Sequence, residues 1–204
     1  MIARPMNWDD IKEPVERKKL NIDAAVVRII KAAVQNNGNG DQLCIVYDIA
    51  EGEYSGYYAD EFNQNTFANK KWKGVLRLWL PKNDGTEKDE WSKRTLKGFA
   101  TSVEKSNPGY VWNWDENSLK NKLLGVLYRN EEWEYEGKTG WAKRPFRAIS
   151  IDSVREGSFD IPREKPLQNK TAGGIGDYSS SSYGSYSEPT NYGVVEEEDE
   201  DLPF

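Results

Sequence analysis

The chain has no histidine and one cysteine in 204 residues. The first absence removes the Ser-His-Asp and Cys-His catalytic arrangements and most zinc sites. The second rules out an intramolecular disulfide. Cys44 lies in the apolar run Leu43-Cys44-Ile45-Val46, so a small core residue is expected there rather than a reactive thiol. No stretch approaches the ~20 apolar residues of a membrane helix, and the start, Met1-Ile2-Ala3-Arg4-Pro5, lacks an apolar signal core. A soluble protein in a reducing cytoplasm is the expectation. A Gly-rich phosphate loop of the P-loop form is missing too, which leaves an ATP-driven motor unsupported. Acidic pairs such as Asp9-Asp10 and Asp89-Glu90 show no metal-ligand or nuclease spacing. No enzymatic activity, metal or cofactor is therefore expected.

Aromatic residues, by contrast, are abundant: eight Trp and eleven Tyr. They can fill a core, and they can also stack on bases. The net charge of −6 looks wrong for a nucleic-acid binder. Its distribution changes that view. Residues 166–204 hold one basic side chain, Lys170, against eight acidic ones, a balance of −7. Residues 1–165 hold 27 basic and 26 acidic side chains, a balance of +1. The acidic sign belongs to the tail and does not exclude a basic surface on the body.

Composition divides the chain into four segments. Residues 1–19 are a polar lead-in, and 20–165 are the folded body. Residues 166–195 form a Gly/Ser/Tyr-rich linker for which disorder is expected. Residues 196–204 are an acidic tip. The linker makes a tether of about 30 residues, with an end-to-end distance on the order of 30 Å.

Within the body, 22–34 and 43–49 read as a hairpin around Asn36-Asn37-Gly38-Asn39-Gly40. Residues 54–71 read as an aromatic, polar connection. A strand is expected at 72–80. A helix comes next at 89–105, where Leu96, Phe99, Ala100 and Val103 repeat at helical spacing, and Asn107-Pro108-Gly109 stops it. A helical turn fits 115–120. A strand at 123–135, a turn at 136–140 and a return strand at 141–151 complete the body. Five strands with a helix between the third and fourth is the order of an oligonucleotide-binding (OB) barrel, so a mainly β OB fold with a disordered C-terminal tail is the expectation. A β-sandwich with an inserted helix has the same string.

The last nine residues carry the most specific signal. Six consecutive carboxylates, 196–201, end in Leu202-Pro203-Phe204, read as the chain's own terminus. The carboxylates keep the segment extended and solvated. The tip offers an apolar anchor and a terminal carboxylate to a pocket with a hydrophobic slot and an Arg or Lys. Asp199, Glu200, Asp201, Leu202, Pro203 and Phe204 are the candidate partner-binding residues. A solubility tail that happens to end in Phe is the plainer alternative.

On the body, alternation in 72–80 sets Lys73, Val75, Arg77 and Trp79 on one face and Gly74, Leu76, Leu78 and Leu80 on the other. Cations that follow phosphates beside an indole that stacks on a base suit a single strand. A barrel exterior with a half-buried Trp suits this strand equally. The last hairpin repeats the theme. Arg129, Trp133 and Tyr135 share a parity, Lys138 falls in the turn, and Trp141, Lys143 and Arg147 share a parity on the return strand, with Arg144 and Phe146 opposite. Glu131, Glu132, Glu134 and Glu136 argue against a uniformly basic hairpin.

Two resemblances meet in this chain. The acidic run closed by Leu-Pro-Phe resembles the C-terminal tip of bacterial single-stranded DNA-binding proteins (SSBs), which recruits replication and repair enzymes. The segments Asp48-Ile49-Ala50-Glu51-Gly52-Glu53-Tyr54-Ser55-Gly56-Tyr57-Tyr58 and Ser106-Asn107-Pro108-Gly109-Tyr110-Val111-Trp112-Asn113-Trp114-Asp115 resemble a family of SSB-like proteins of phages and mobile elements of Gram-positive bacteria. That resemblance covers roughly 20–160. It implies an OB-type body acting in a bacterial host cell, in replication or recombination. Read from the residues alone, the same segments are a strand end with structural aromatics and a helix stop.

The expectation is a sequence-independent ssDNA-binding protein that protects strands and recruits replication, recombination or repair proteins through its tip, with no membrane contact. Homo-oligomerisation stays open. A recombination mediator or annealing protein would share the ssDNA face. An adaptor that mimics the SSB tip would bind no DNA.

Overall fold

Apolar side chains at alternate positions set the sheet. β1 (Ala24–Asn36) and β2 (Asp41–Ile49) form a hairpin in which Val27, Ile29 and Ala32 of β1 and Leu43, Ile45 and Tyr47 of β2 are buried on one side. The turn between them contains Gly38 at φ +81°, and the Asn36 side chain accepts a hydrogen bond from its N–H at 2.9 Å. β2 then pairs with β3 (Val75–Trp79), and β1 pairs with β4 (Leu123–Tyr135). β4 pairs with β5 (Lys138–Ile149). All pairings are antiparallel and the strand order is β3-β2-β1-β4-β5. β3 and β5 approach to within 8 Å between Cα atoms in places but do not pair.

The computed structural model describes residues 18–167 together with Arg4, Met6 and Asn7. Most of the lead-in 1–19, nearly all of the linker 166–195 and the whole tip, including candidate residues 199–204, lie outside the described residues. Residues 18–167 belong to one unit, Met1–Gln168.

The helix expected between β3 and β4 is present as α2, Glu87–Ser106. Thr86 caps it by accepting from the Asp89 N–H at 3.3 Å. Glu87, Asp89 and Glu90 occupy its first turn, where the backbone dipole favours negative charge. Leu96, Phe99 and Val103 face the sheet and are buried. Asn107 ends the helix and ties it to the next strand. Its amide donates to Val103 O at 2.7 Å and Leu123 O at 2.8 Å, and its carbonyl accepts from Leu123 N–H at 3.0 Å. The Asn-Pro-Gly segment is thus a helix stop that also aligns the start of β4.

Two short helices add to the elements expected from sequence. α1, Tyr57–Gln64, lies within the aromatic, polar connection 54–71. Its capping residue is distant in sequence: Asp48 accepts from the N–H groups of Tyr58 at 3.0 Å and Ala59 at 3.2 Å. α3, Ile151–Glu156, comes after β5 and is capped by Ser150, whose hydroxyl accepts from Ser153 N–H at 3.2 Å. It packs against Gly125 of β4, where an added Cβ would lie 2.7 Å from the Val154 side chain. An Arg155–Glu51 ion pair at 2.6 Å ties α3 to the segment after β2, and that hydrogen bond holds the Glu51 carboxyl below its usual range.

Three tyrosines meet inside the core. Tyr47 and Tyr58 each donate to the Tyr128 hydroxyl, at 3.2 and 3.4 Å. Burial raises all three phenols, Tyr128 to about 12 from an ordinary 10.0 and the other two further. In the unfolded chain they ionise near 10. Between about pH 10 and 12 the unfolded state therefore holds fewer protons, and stability falls as pH rises. Thermal unfolding should show the trio's full stabilisation below pH ~10 and a steep loss above it, and Tyr128→Phe should soften that alkaline loss.

Candidate nucleic-acid interface

Residues directly opposite in an antiparallel pair share a side of the sheet. This rule sorts every candidate residue of the body. The core occupies the inner side, with Leu76 and Leu78 buried on β3 and Leu124, Val126 and Tyr128 on β4. The outer side of β3 carries Val75, Arg77 and Trp79, as the alternation predicts. Their partners on β2 are Val46, Cys44 and Gln42. Next on β1 come Lys31, Ala33 and Gln35. Arg28, opposite Asp48, continues the same outer side past a bulge at Ile30.

The result is a surface along which Arg77, Lys31 and Arg28 are exposed, with Trp79 half-buried next to Arg77 at one end. Its carboxylate, Asp48, is engaged. Asp48 accepts the α1 amides of Tyr58 and Ala59. The Trp79 ring is seated against the β1–β2 turn: a Cβ on Gly40 would lie 3.6 Å from it. Lys82 closes that corner by donating to Asn39 O at 2.8 Å. Lys73 precedes β3 and forms an ion pair with Glu61 of α1, so this cation is already partnered. The sequence reading missed Arg28 and Lys31. Their strand was legible, but which of its sides faced outward depended on the bulge and on pairing with β2.

The second group lies on a projecting arm. β1 covers β4 only from Leu123 to Leu127, and beyond this β4 and β5 continue as a two-stranded ribbon. Tyr128–Tyr135 spans about 25 Å at ~3.3 Å per residue. Its turn needs only Glu136 and Gly137, at φ +49° and +73°, a primed hairpin turn. Lys138 is therefore the first residue of β5, opposite Tyr135, and does not lie in the turn.

A bulge at the base of the arm corrects the expected grouping of β5. Leu127 opposes Arg147 and Tyr128 opposes Pro145, so Phe146 is an extra residue and parity reverses across it. Arg147 joins Arg129, Trp133, Tyr135 and Lys138 on the outer side. Arg144, expected on the opposite face, also joins them, opposite Arg129. Trp141 and Lys143 oppose Glu132 and Asn130 and lie on the inner side, away from that set.

Side-chain partners separate these residues further. The Lys143 ammonium is 2.6 Å from Asp23, and its side chain is 11% exposed, so it anchors the arm. Arg129 pairs with Glu131 at 2.7 Å, and its guanidinium lies 4.3 Å from the centre of the Phe146 ring. Trp133 lies over Gly140, where a Cβ would sit 2.7 Å from the ring, and remains 39% exposed. Tyr135 and Trp141 are exposed as well. Arg77, Lys138, Arg144 and Arg147 form no ion pair among the described residues.

The far edge of the arm is covered at its base. Lys165 N–H donates to Asn130 O at 2.8 Å, and Glu132 N–H donates to Lys165 O at 2.9 Å, a parallel bridge. The Glu132 carboxylate accepts from Leu167 N–H at 3.2 Å. Among the described residues no His/Cys/Asp/Glu group is placed to hold a metal ion, and no helix is long and apolar enough to cross a membrane. Comparison by sequence adds no relative: no family model and no curated protein matches the chain.

Proposed function

We propose that this protein binds single-stranded DNA without sequence preference, through the outer side of β1, β2 and β3 and the arm formed by β4 and β5. One observation carries this reading: Arg28, Lys31 and Arg77 are exposed along one side of the sheet, with Trp79 next to Arg77 at the end near the β1–β2 turn, and the Asp48 carboxylate of that side is held by backbone amides. Cations spaced along a surface that ends in an indole suit a flexible strand, which can follow them with its phosphates and stack an unpaired base on the ring. The strand order β3-β2-β1-β4-β5, with α2 between β3 and β4, is that of an OB barrel, and β3 approaches β5 where such a barrel would close. In that fold, ligand lies across the middle strands and between the loops joining strands 1–2 and 4–5, which here are the Asn37–Gly40 turn and the tip of the arm.

Protection of ssDNA, without catalysis, is the activity of this surface. Recruitment of replication, recombination or repair proteins is assigned to the acidic tip on its sequence alone. The resemblance to SSB-like proteins of phages and mobile elements agrees with both roles. Trp79→Ala is the direct test. Loss of one stacked base costs about 1–3 kcal/mol, so affinity for oligo-dT should fall roughly 5- to 100-fold by fluorescence titration. Unchanged affinity would remove Trp79 and this side of the sheet from the interface.

A further inference from the structure

The loop from α2 to the 3-10 turn at Glu116–Leu119 presents an indole that the β-sheet surface does not account for. Trp114 is 69% exposed, and Val111 in the same loop is 77% exposed. The Trp114 backbone has φ +68°, in the left-handed region that bulky residues avoid. The surrounding loop enforces this conformation. The Trp114 ring lies 5.0 Å from that of Trp112, tilted by 34°. Trp112 is buried edge-on against Phe99, its indole N–H donates to Asp115 O at 3.1 Å, and its backbone N–H donates to the Glu104 carboxylate at 3.0 Å. Asn113 accepts from Asp115 N–H at 3.2 Å, and Asp115 accepts from Asn117 N–H at 3.0 Å. A strained backbone held this firmly, with its aromatic ring turned to water, is the kind of outlier that points to function.

Charge indicates what the ring meets. Lys105, Lys120 and Lys122 belong to this segment, and Lys122 lies 4.3 Å from the Tyr110 ring centre. Of the segment's carboxylates, those of Glu104 and Asp115 accept from loop amides, and Glu116 opens the 3-10 turn. Two backbone bonds, Ile29 N–H to Lys122 O at 2.9 Å and Asn121 N–H to Ile29 O at 2.8 Å, set the segment beside β1. Arg28 and Lys31 flank Ile29 on that strand. Arg28 and Lys31 of the sheet therefore lie beside the segment that carries Lys120 and Lys122.

We infer that Trp114 is a second stacking platform, taking a base of the same single strand, with Lys120 and Lys122 beside the phosphates. This rests on the ssDNA reading of the sheet surface. The test is oligo-dT titration of the full chain and of Trp114→Gly, Trp114→Phe and Trp114→Leu, with thermal unfolding of each. Glycine adopts φ +68° readily, so Trp114→Gly should keep its Tm yet bind roughly ten-fold more weakly. Trp114→Phe should retain most of the affinity and Trp114→Leu should lose it, since only the π face differs in kind. Should the glycine variant lose stability, the Phe–Leu comparison decides. Wild-type affinity in Trp114→Leu or Trp114→Gly overturns the inference, including the case where the ring docks a protein instead, and leaves the sheet surface standing. No binding by the wild-type protein overturns both.

Discussion

A Lys31→Glu/Arg77→Glu double variant should bind oligo-dT on the order of 100-fold more weakly than the wild type while unfolding at nearly the same temperature. Both side chains are exposed on the outer side of the sheet and form no ion pair among the described residues. Reversal removes two attractions and introduces two repulsions, together about 2–3 kcal/mol at surface dielectric. The salt dependence should change with the affinity. Each phosphate contact to a single strand contributes about 0.7 to the slope of log K against log salt, so the slope should become shallower by about 1.4. Lys143→Met makes the contrast. Its ammonium is committed to Asp23 within the protein, so removing it bears on the arm's anchorage and not on a phosphate contact.

Gly74→Ala should produce a large loss of stability from a single methyl group. Gly74 precedes β3 and is packed tightly against its neighbours. An added Cβ would collide with the Tyr47 carbonyl oxygen and would sit 2.6 and 2.9 Å from two atoms of the Tyr58 ring. None of these can yield easily. The Tyr47 carbonyl already accepts from the Trp72 indole at 2.9 Å, Tyr47 N–H donates to Gly74 O at 2.8 Å, and Tyr58 belongs to the buried tyrosine trio. Overpacking of this kind costs about 3 kcal/mol, which lowers Tm by roughly 6–12 °C for a domain of this size. Differential scanning calorimetry measures it directly. A wild-type Tm would mean that β3 can shift away from α1 without cost.

Strands and the long helix were legible because each carries its own periodicity. β4 was expected at 123–135 and is found at Leu123–Tyr135, and α2 differs from its expected bounds by two residues at one end and one at the other. What the sequence hid depends on distant partners. α1 has no local cap, since its amides are met by Asp48, nine residues before its first turn. The bridge of Lys165 to the edge of β4 joins segments more than thirty residues apart. The candidate site divides in the same way. Alternation placed Arg77 and Trp79 correctly on β3. On β5 one bulge residue, Phe146, reverses parity, and alternation counted along the strand put Arg147 with Trp141 and Lys143. No local pattern in this sequence marks such an insertion. Lys73, Arg129 and Lys143 looked like available cations because their carboxylate partners are visible only once the chain has folded.

Separating charge by segment also reconciles a net charge of −6 with the proposed single-stranded DNA ligand. The acidic excess sits at 166–204, and the described sheet surface is basic. Binding should therefore be governed by Arg28, Lys31 and Arg77, not by the chain's overall sign. The most direct measurement is tryptophan fluorescence of the full chain titrated with oligo-dT at two salt concentrations. Strong quenching that weakens steeply at the higher salt is the expected result. Flat fluorescence at low salt, with no shift of the oligonucleotide in a parallel anisotropy titration, would contradict the ssDNA function.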